Sequence, residues 1–134
     1  MIIQTEVSWQ NFDLPSLLQR FEQQESYLTG SIVIHRGKVK SPGKKVIHLS
    51  SVMLKERLEG SGQQELAKIA DEAAAKFPHL QQIYINHRLG EAKVGDDILL
   101  LIVSAADRRS AFSAAQWIVD EIKKEKIITL TEIA

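Results

Sequence analysis

The sequence contains no cysteine. Disulfides, thiolate metal sites and a cysteine nucleophile are therefore excluded. Charge of one sign is not in excess either: Lys plus Arg and Asp plus Glu each total 17, so the formal net charge is zero. A generic nucleic-acid binder carries a basic surplus, and there is none here. Attraction to an anion has to come from local placement rather than from the overall field. The longest aliphatic run, Ile98 to Val103, is far too short to cross a bilayer, which takes about 20 residues. The opening MIIQTEVSWQNFD has neither the basic nor the apolar region of a secretory signal, so a cytoplasmic protein with no membrane association is expected. No Gly-x-Ser-x-Gly elbow, P-loop, internal repeat or low-complexity segment occurs. The four histidines, His35, His48, His79 and His87, show no ligand-pair spacing, and no metal centre is expected.

What is present is enough for one substantial core. The 134 residues are 44% hydrophobic and 25% charged, the balance of a single globular domain spanning 1–134. MIIQTEV alternates as a short strand. In NFDLPSLLQRFEQQ, Asp13 is placed to cap a helix, Pro15 sits in its first turn, and Leu14, Leu17, Leu18 and Phe21 share a face. GSIVIHRGKVK reads as a strand, and KVIHLSSVML as its partner across Ser-Pro-Gly turn chemistry. QQELAKIADEAAAKF is the clearest helix, with Leu66, Ile69, Ala70, Ala73 and Phe77 at helical spacing and Pro78 closing it. LQQIYINHR and DDILLLIVSA are strands, the second buried on both faces. DRRSAFSAAQWIVDEIKKE is a helix capped by Asp107, with Phe112, Ala115, Val119 and Ile122 inward, and KIITLTEI ends as a strand. Long helices between strands make the fold α+β, a mixed or antiparallel sheet with two to three packed helices.

Positive groups gather at particular ends of these elements. Lys38 and Lys40 end a strand, Arg108 and Arg109 open a helix, and Lys123, Lys124 and Lys126 close it. At the helix start an anion would meet unpaired N–H groups as well as the guanidinium. The plainer reading is also open: Asp107 caps the helix, the arginines are solvated, and the lysines complement the dipole. Arg108 and Lys123 lie fifteen positions apart, about 22 Å along a helix, so no small ligand touches both within one chain. If both serve one site, two copies must meet, as in a symmetric homodimer.

Read in order, GKVK at 37–40, HRLGEAKVGD at 87–96, ADRRSAF at 106–112 and DEIK at 120–123 resemble the catalytic, large subunit of molybdopterin synthase. That family shows Gly-x-Val-Arg, His-Arg-x-Gly-x-x-x-x-Gly-Asp, Ala-His-Arg-x-x-Ala-Phe and Asp-x-Leu-Lys in the same order, and the likeness runs from about Gly30 onward. The resemblance implies an α/β hammerhead-like fold and a homodimer flanked by two copies of a small ubiquitin-like sulfur-carrier subunit. The implied reaction moves sulfur from that subunit's C-terminal thiocarboxylate to a cyclic pyranopterin phosphate, making the dithiolene of molybdopterin. It asks for cations to hold the phosphate and a lysine near the acyl carbon, with no metal or redox cofactor.

Carried over position by position, the resemblance makes Lys123 the catalytic lysine. It assigns substrate binding to Lys38, Val39, Lys40, Asp107, Arg108 and Lys126. Three positions depart from the family pattern. Its pocket arginine falls on Lys40, which keeps the charge without the bidentate fork. Its helix-start histidine falls on Asp107, and its second lysine on Leu130. The aromatic-Pro stretch after the second strand is replaced by SSVMLKERLEGSG. His87, on the strand face of Ile83 and Ile85, is expected to be structural. Beside an active synthase subunit stand two further readings: a non-catalytic module that binds the small subunit, and an unrelated phosphate-binding enzyme.

Overall fold

A computed structural model describes residues 1–134. The chain runs β1 (Ile2–Ser8), α1 (Leu14–Gln23), β2 (Ser31–Lys38), β3 (Ser51–Glu56), α2 (Gly62–Lys76), β4 (Leu80–Arg88), β5 (Gly90–Lys93), β6 (Asp97–Ala105), α3 (Arg108–Lys123) and β7 (Ile128–Ile133). Two sheets result. The main one has the order β1-β4-β6-β2, with β1 parallel to β4 and the other pairs antiparallel; the smaller one has the order β5-β3-β7.

Period-2 side-chain alternation in β4 and β6 divides the core. On one face Ile83, Ile85, Leu99, Leu101 and Val103 meet Leu66, Ile69 and Ala73 of α2 and Ala111, Ala115, Ile118 and Ile122 of α3. On the other, Tyr84, Leu100 and Ile102 are roofed by Phe12 and Phe21, with Leu14, Leu17 and Leu18 of α1 packed against them. With both faces covered, β6 is the aliphatic run its sequence indicates. Each large aliphatic side chain fully buried in these layers contributes about 1.5–3 kcal/mol. The smaller sheet closes a third cluster, around Val39, Leu49, Val52, Leu54 and Ile128.

Three expectations are corrected. β2 does not pair with the segment after Ser41-Pro42-Gly43. Its partner is β6, with His35 opposite Leu101, while β3 joins the other sheet between β5 and β7. Turn chemistry marks a change of direction but not the identity of the next neighbour. Phe112 is 62% exposed, because α3 buries the stripe Ala111, Ala114, Ala115, Ile118, Val119 and Ile122, and Phe112 lies off it. β5 is a strand the sequence does not announce; its four residues begin at the positive-φ Gly90.

Candidate functional site

The end of β2 is built first. A register shift at Gly37/Lys38 interrupts the regular β2–β6 ladder, and Lys38 Nζ donates to the Gly95 carbonyl at 3.2 Å. Val39 then locks the chain. Its N–H donates to the Asp96 carbonyl at 2.9 Å, its own carbonyl accepts from Gly95 N–H at 2.8 Å, and its side chain is buried among Leu49, Val52 and Leu54. Val39 thus positions its neighbours and has no free backbone group. Lys40, the next residue, is exposed.

The loop that follows is anchored from β7. The Glu132 carboxylate accepts the N–H groups of Lys44, Lys45 and Val46 at 2.7, 2.8 and 2.9 Å. Those backbone bonds, led by Lys45 and Val46, hold the Glu132 carboxyl below its ordinary pKa. A basic loop is thereby fixed next to Lys40.

Helix α3 carries cations at both ends. Asp107 is its N-cap: Oδ1 accepts Ser110 N–H at 2.9 Å, and Oδ2 meets Ser110 Oγ and His79 Nδ1, each at 2.9 Å. The Ser110 N–H first, then His79 and the Ser110 hydroxyl, pull the carboxyl down to about 2. Asp107 is therefore a committed acceptor, and Arg108 beside it is exposed. At the far end Lys123 is exposed, Lys124 pairs with Glu121 at 2.8 Å, and Glu125 turns the chain with φ 55. Lys126 follows in the exposed turn. Leu130 then sits in β7 opposite Leu54.

The layout sorts the expected residues into two groups. Since α3 runs back along β6, its last turn returns to the end where β6 begins. Ile122 shares a cluster with Leu99, and Lys38 pairs with Asp97. Lys38, Val39, Lys40 and Lys123 thus belong to one end of the main sheet, with Lys126 just beyond. Asp107 and Arg108 belong to the other, with His79. The helix between them is 16 residues, about 24 Å, so one chain does not close a site around both groups. An open cavity of about 470 Å³ lies elsewhere, on the α1 side, lined by Glu6, Trp9, Asn11, Arg20 and Asn86 among others.

The HRLG…GD signature is architecture. The Arg88 guanidinium is buried, with Nη1 donating to Asn11 Oδ1 at 3.1 Å and Nη2 to the Glu91 carbonyl at 3.0 Å. His87 is 5% exposed, and its Nδ1 lies 2.8 Å from the Arg88 carbonyl. Burial keeps its imidazole below the ordinary pKa despite that bond. Two residues have no place in the sequence-derived site: His79, bound to Asp107, and His35, half-buried on β2 and held below its ordinary pKa by burial and then by the Lys123 charge. Neither lies in a motif; their partners are distant in sequence and are joined to them only by the fold.

Comparison with known proteins bears on the family and the fold. The family model described as MoaE protein matches residues 7–125. The molybdopterin synthase catalytic subunit of Pyrococcus abyssi is 40% identical over 107 residues, covering 78% of this chain and 69% of that one. The matched stretch takes in between 61% and 69% of the length of the first curated relatives. The crystal structure of molybdopterin synthase from Staphylococcus aureus superposes with a TM-score of 0.81 at 25% identity, covering 96% of this chain and 89% of that one. A complex of subunits 1 and 2 of molybdopterin-converting factor from Helicobacter pylori shares the fold, with a TM-score of 0.70 at 15% identity over 96% of this chain and 83% of that one.

Proposed function

We propose that this chain, which belongs to the MoaE protein family, works as a molybdopterin synthase catalytic subunit. In this reading it transfers sulfur from the C-terminal thiocarboxylate of a small ubiquitin-like subunit to a cyclic pyranopterin phosphate. The observation that carries the reading is the split of the expected cations between opposite ends of α3, with Lys123 and Lys40 at one end and Arg108 at the other. A homodimer that sets the Arg108 end of one protomer against the Lys123 end of the other assembles the complete set.

Each group then has a task. The Lys40 ammonium and Arg108 of the second protomer hold the phosphate, Arg108 through its bidentate fork. Lys123 places its ammonium near the acyl carbon of the thiocarboxylate, where it stabilises charge that develops on the acyl oxygen during transfer. Lys126 extends the positive rim, and Lys38 and Val39 fix the backbone that presents Lys40. The small subunit is the sulfur donor and main partner, in keeping with the two-subunit Helicobacter pylori complex of the same fold. No helix is long and apolar enough to cross a membrane, and the reaction belongs, in this reading, to the cytoplasm.

The test mixes the full chain with thiocarboxylated small subunit and pterin precursor and looks for dithiolene product. Turnover is expected, and Lys123→Ala should lower it by about a hundredfold or more. A Lys123→Ala variant as active as wild type removes Lys123 from the mechanism. A strictly monomeric protein removes the shared site. Binding of the small subunit without turnover would identify a non-catalytic module instead, the reading that Leu130 and the committed Asp107 carboxylate favour.

A further inference from the structure

Strand β2 closes the main sheet on one side, and no strand lies beyond it. An open edge is ordinarily guarded by charge, proline or a bulge. The far edge, β1, is guarded: Gln4 and Glu6 stand on the α1 face, opposite Tyr84 and Asn86. On the same face β2 shows Ile32 and Ile34, both exposed, opposite Ser104 and Ile102. Arg36 is drawn onto Asp97, and the register shift comes only at Gly37/Lys38. From Ser31 to His35 the edge is regular and unguarded.

Helix α3 overhangs this edge. Across the order β1-β4-β6-β2, α2 packs on β1, while α3 packs about equally on β6 and β2. The stripe Ala111, Ala115, Ile118 and Ile122 of α3 faces the sheet. On one side of that stripe Trp117 meets Phe77 at the end of α2, with ring centroids 6.4 Å apart. At 3.6 residues per turn, Arg108, Phe112, Val119 and Lys123 fall within an arc of about 60° on the other side. That side lies over the outer margin of β2. The row reads the same from both ends: cation, apolar, apolar, cation. Arg108 with Lys123, and Phe112 with Val119, share one midpoint between Ala115 and Gln116. Ser31 lies at the Arg108 end and Lys38 at the Lys123 end, so β2 and α3 run the same way.

We propose that a second copy of this chain occupies the β2 edge, its own β2 antiparallel to the first about a two-fold axis. The two four-stranded sheets become one, and the two α3 helices lie side by side across the seam. The dimensions agree. With strands ~4.8 Å apart, a helix centred over β6 and β2 sits one strand spacing from the axis, so the helices stand about 10 Å apart, within ordinary helix packing. The same axis sets Phe112 on the partner's Val119 and Arg108 beside the partner's Lys123. Ile32 and Ile34 of the two strands cover one another on the α1 face. At each end of the seam two cations meet, and they repel unless an oxyanion lies between them. Anion binding and dimerisation therefore strengthen each other by linkage. The identity of that anion, a phosphate, rests on the proposed function; the seam itself rests on the open edge and the α3 row.

Light scattering on the full chain tests the seam. Wild type should be a dimer. Ile34→Lys and Phe112→Lys, both at exposed positions, should be monomers with unchanged far-ultraviolet circular dichroism, whereas Ile2→Lys on the opposite edge should remain a dimer. A monomeric wild type, a dimer that survives either edge substitution, or one that Ile2→Lys dissolves equally overturns the proposal. So does a monomer whose binding of the small subunit is lost in Ile34→Lys, since the edge then serves that partner. The chain has no cysteine, so introduced thiols report without background. Arg108→Cys mixed with Lys123→Cys should be joined by a short bismaleimide, and neither variant alone should be; bridging of Arg108→Cys to itself overturns the antiparallel arrangement. Inorganic phosphate should tighten self-association of wild type severalfold and leave Lys123→Ala unaffected; an equal response in both overturns the link between anion and dimer. Absence of turnover from a dimer joined in this way defeats the proposed function alone. Turnover by a dimer that survives Ile34→Lys defeats this interface alone.

Discussion

Arg36 grips Asp97 with both arms of its guanidinium: Nε to Oδ1 at 2.8 Å and Nη2 to Oδ2 at 3.1 Å. Asp97 is 1% exposed, and its Oδ2 also accepts the Phe12 N–H at 2.9 Å. One carboxylate thus ties β2, β6 and the segment leading into α1. Burial works to raise its pKa, but the Arg36 and Phe12 hydrogen bonds, with the charges of Arg36 and Lys38, outweigh it and leave the carboxyl below its ordinary value. Asp97→Asn keeps the shape and loses the charge-assisted pair. A loss of about 2–4 kcal/mol is expected in denaturant unfolding, and an unchanged midpoint would contradict it.

Acid should unfold the protein in two stages. Half-buried His35 and buried His87 have lowered pKa values, so the unfolded chain binds their protons first and stability declines as pH falls below about 6.5. The carboxyls of Asp97, Asp107 and Glu132 are depressed; their contribution is complete above about 4 and is lost as pH falls through the folded values, for Asp107 down to about 2. Urea midpoints measured from pH 7 to 2.5 check the shape. Asp107→Asn should flatten the lower stage and leave the upper one.

By the resemblance, Lys40 falls where the family pattern has an arginine. Lys40→Arg supplies a second parallel hydrogen bond to a phosphate, and KM for the pterin should fall several-fold, corresponding to about 1 kcal/mol, with stability unchanged. Measured steady-state constants decide this. A raised KM would mean that Lys40 does not face the phosphate.

Phe112 and Ile118 lie on the same helix and should behave oppositely. Ile118 is fully buried, so Ile118→Ala should cost about 2–5 kcal/mol through lost packing and the cavity left behind. Phe112→Ser, at an exposed position, should change stability by less than about 0.5 kcal/mol. If chromatography shows it weakening self-association or small-subunit binding, the exposed ring belongs to an interface.

Gly30 carries the turn into β2, with its N–H donating to the Ala105 carbonyl at 2.9 Å. A Cβ here would collide with the Ala106 carbonyl oxygen, which is backbone and cannot swing aside. Gly30→Ala should therefore destabilise the protein by about 1–3 kcal/mol in thermal or urea unfolding.

The sequence and the structure agree best where structure is local. Asp13 with Pro15, Asp107 with Ser110, and the Leu66–Ile69–Ala73 stripe announce three helices because caps and helical periodicity act within a few residues. Pairing of β2 with β6 was not legible, since their partners are 59 to 74 residues apart in sequence and nothing in GKVKSPGKKV says which strand receives the edge. Phe112 misled because alanines, not large side chains, line the buried side of α3 at this point. For the site, the motif positions were readable from the resemblance, but His35 and His79 were not. Their surroundings depend on Lys123 and Asp107, which act on them from another element.

Strand β1 precedes every other element of the main sheet in the chain, yet its only partner in that sheet is β4, with Ile2 beside Gln82 and Ser8 beside Arg88. For the time it takes to polymerise about 80 further residues, that strand lacks its only sheet partner. Closing so wide a loop places this pairing among the slower steps of maturation, and a nascent chain arrested before Arg88 presents a bare β-edge to its neighbours on the polysome.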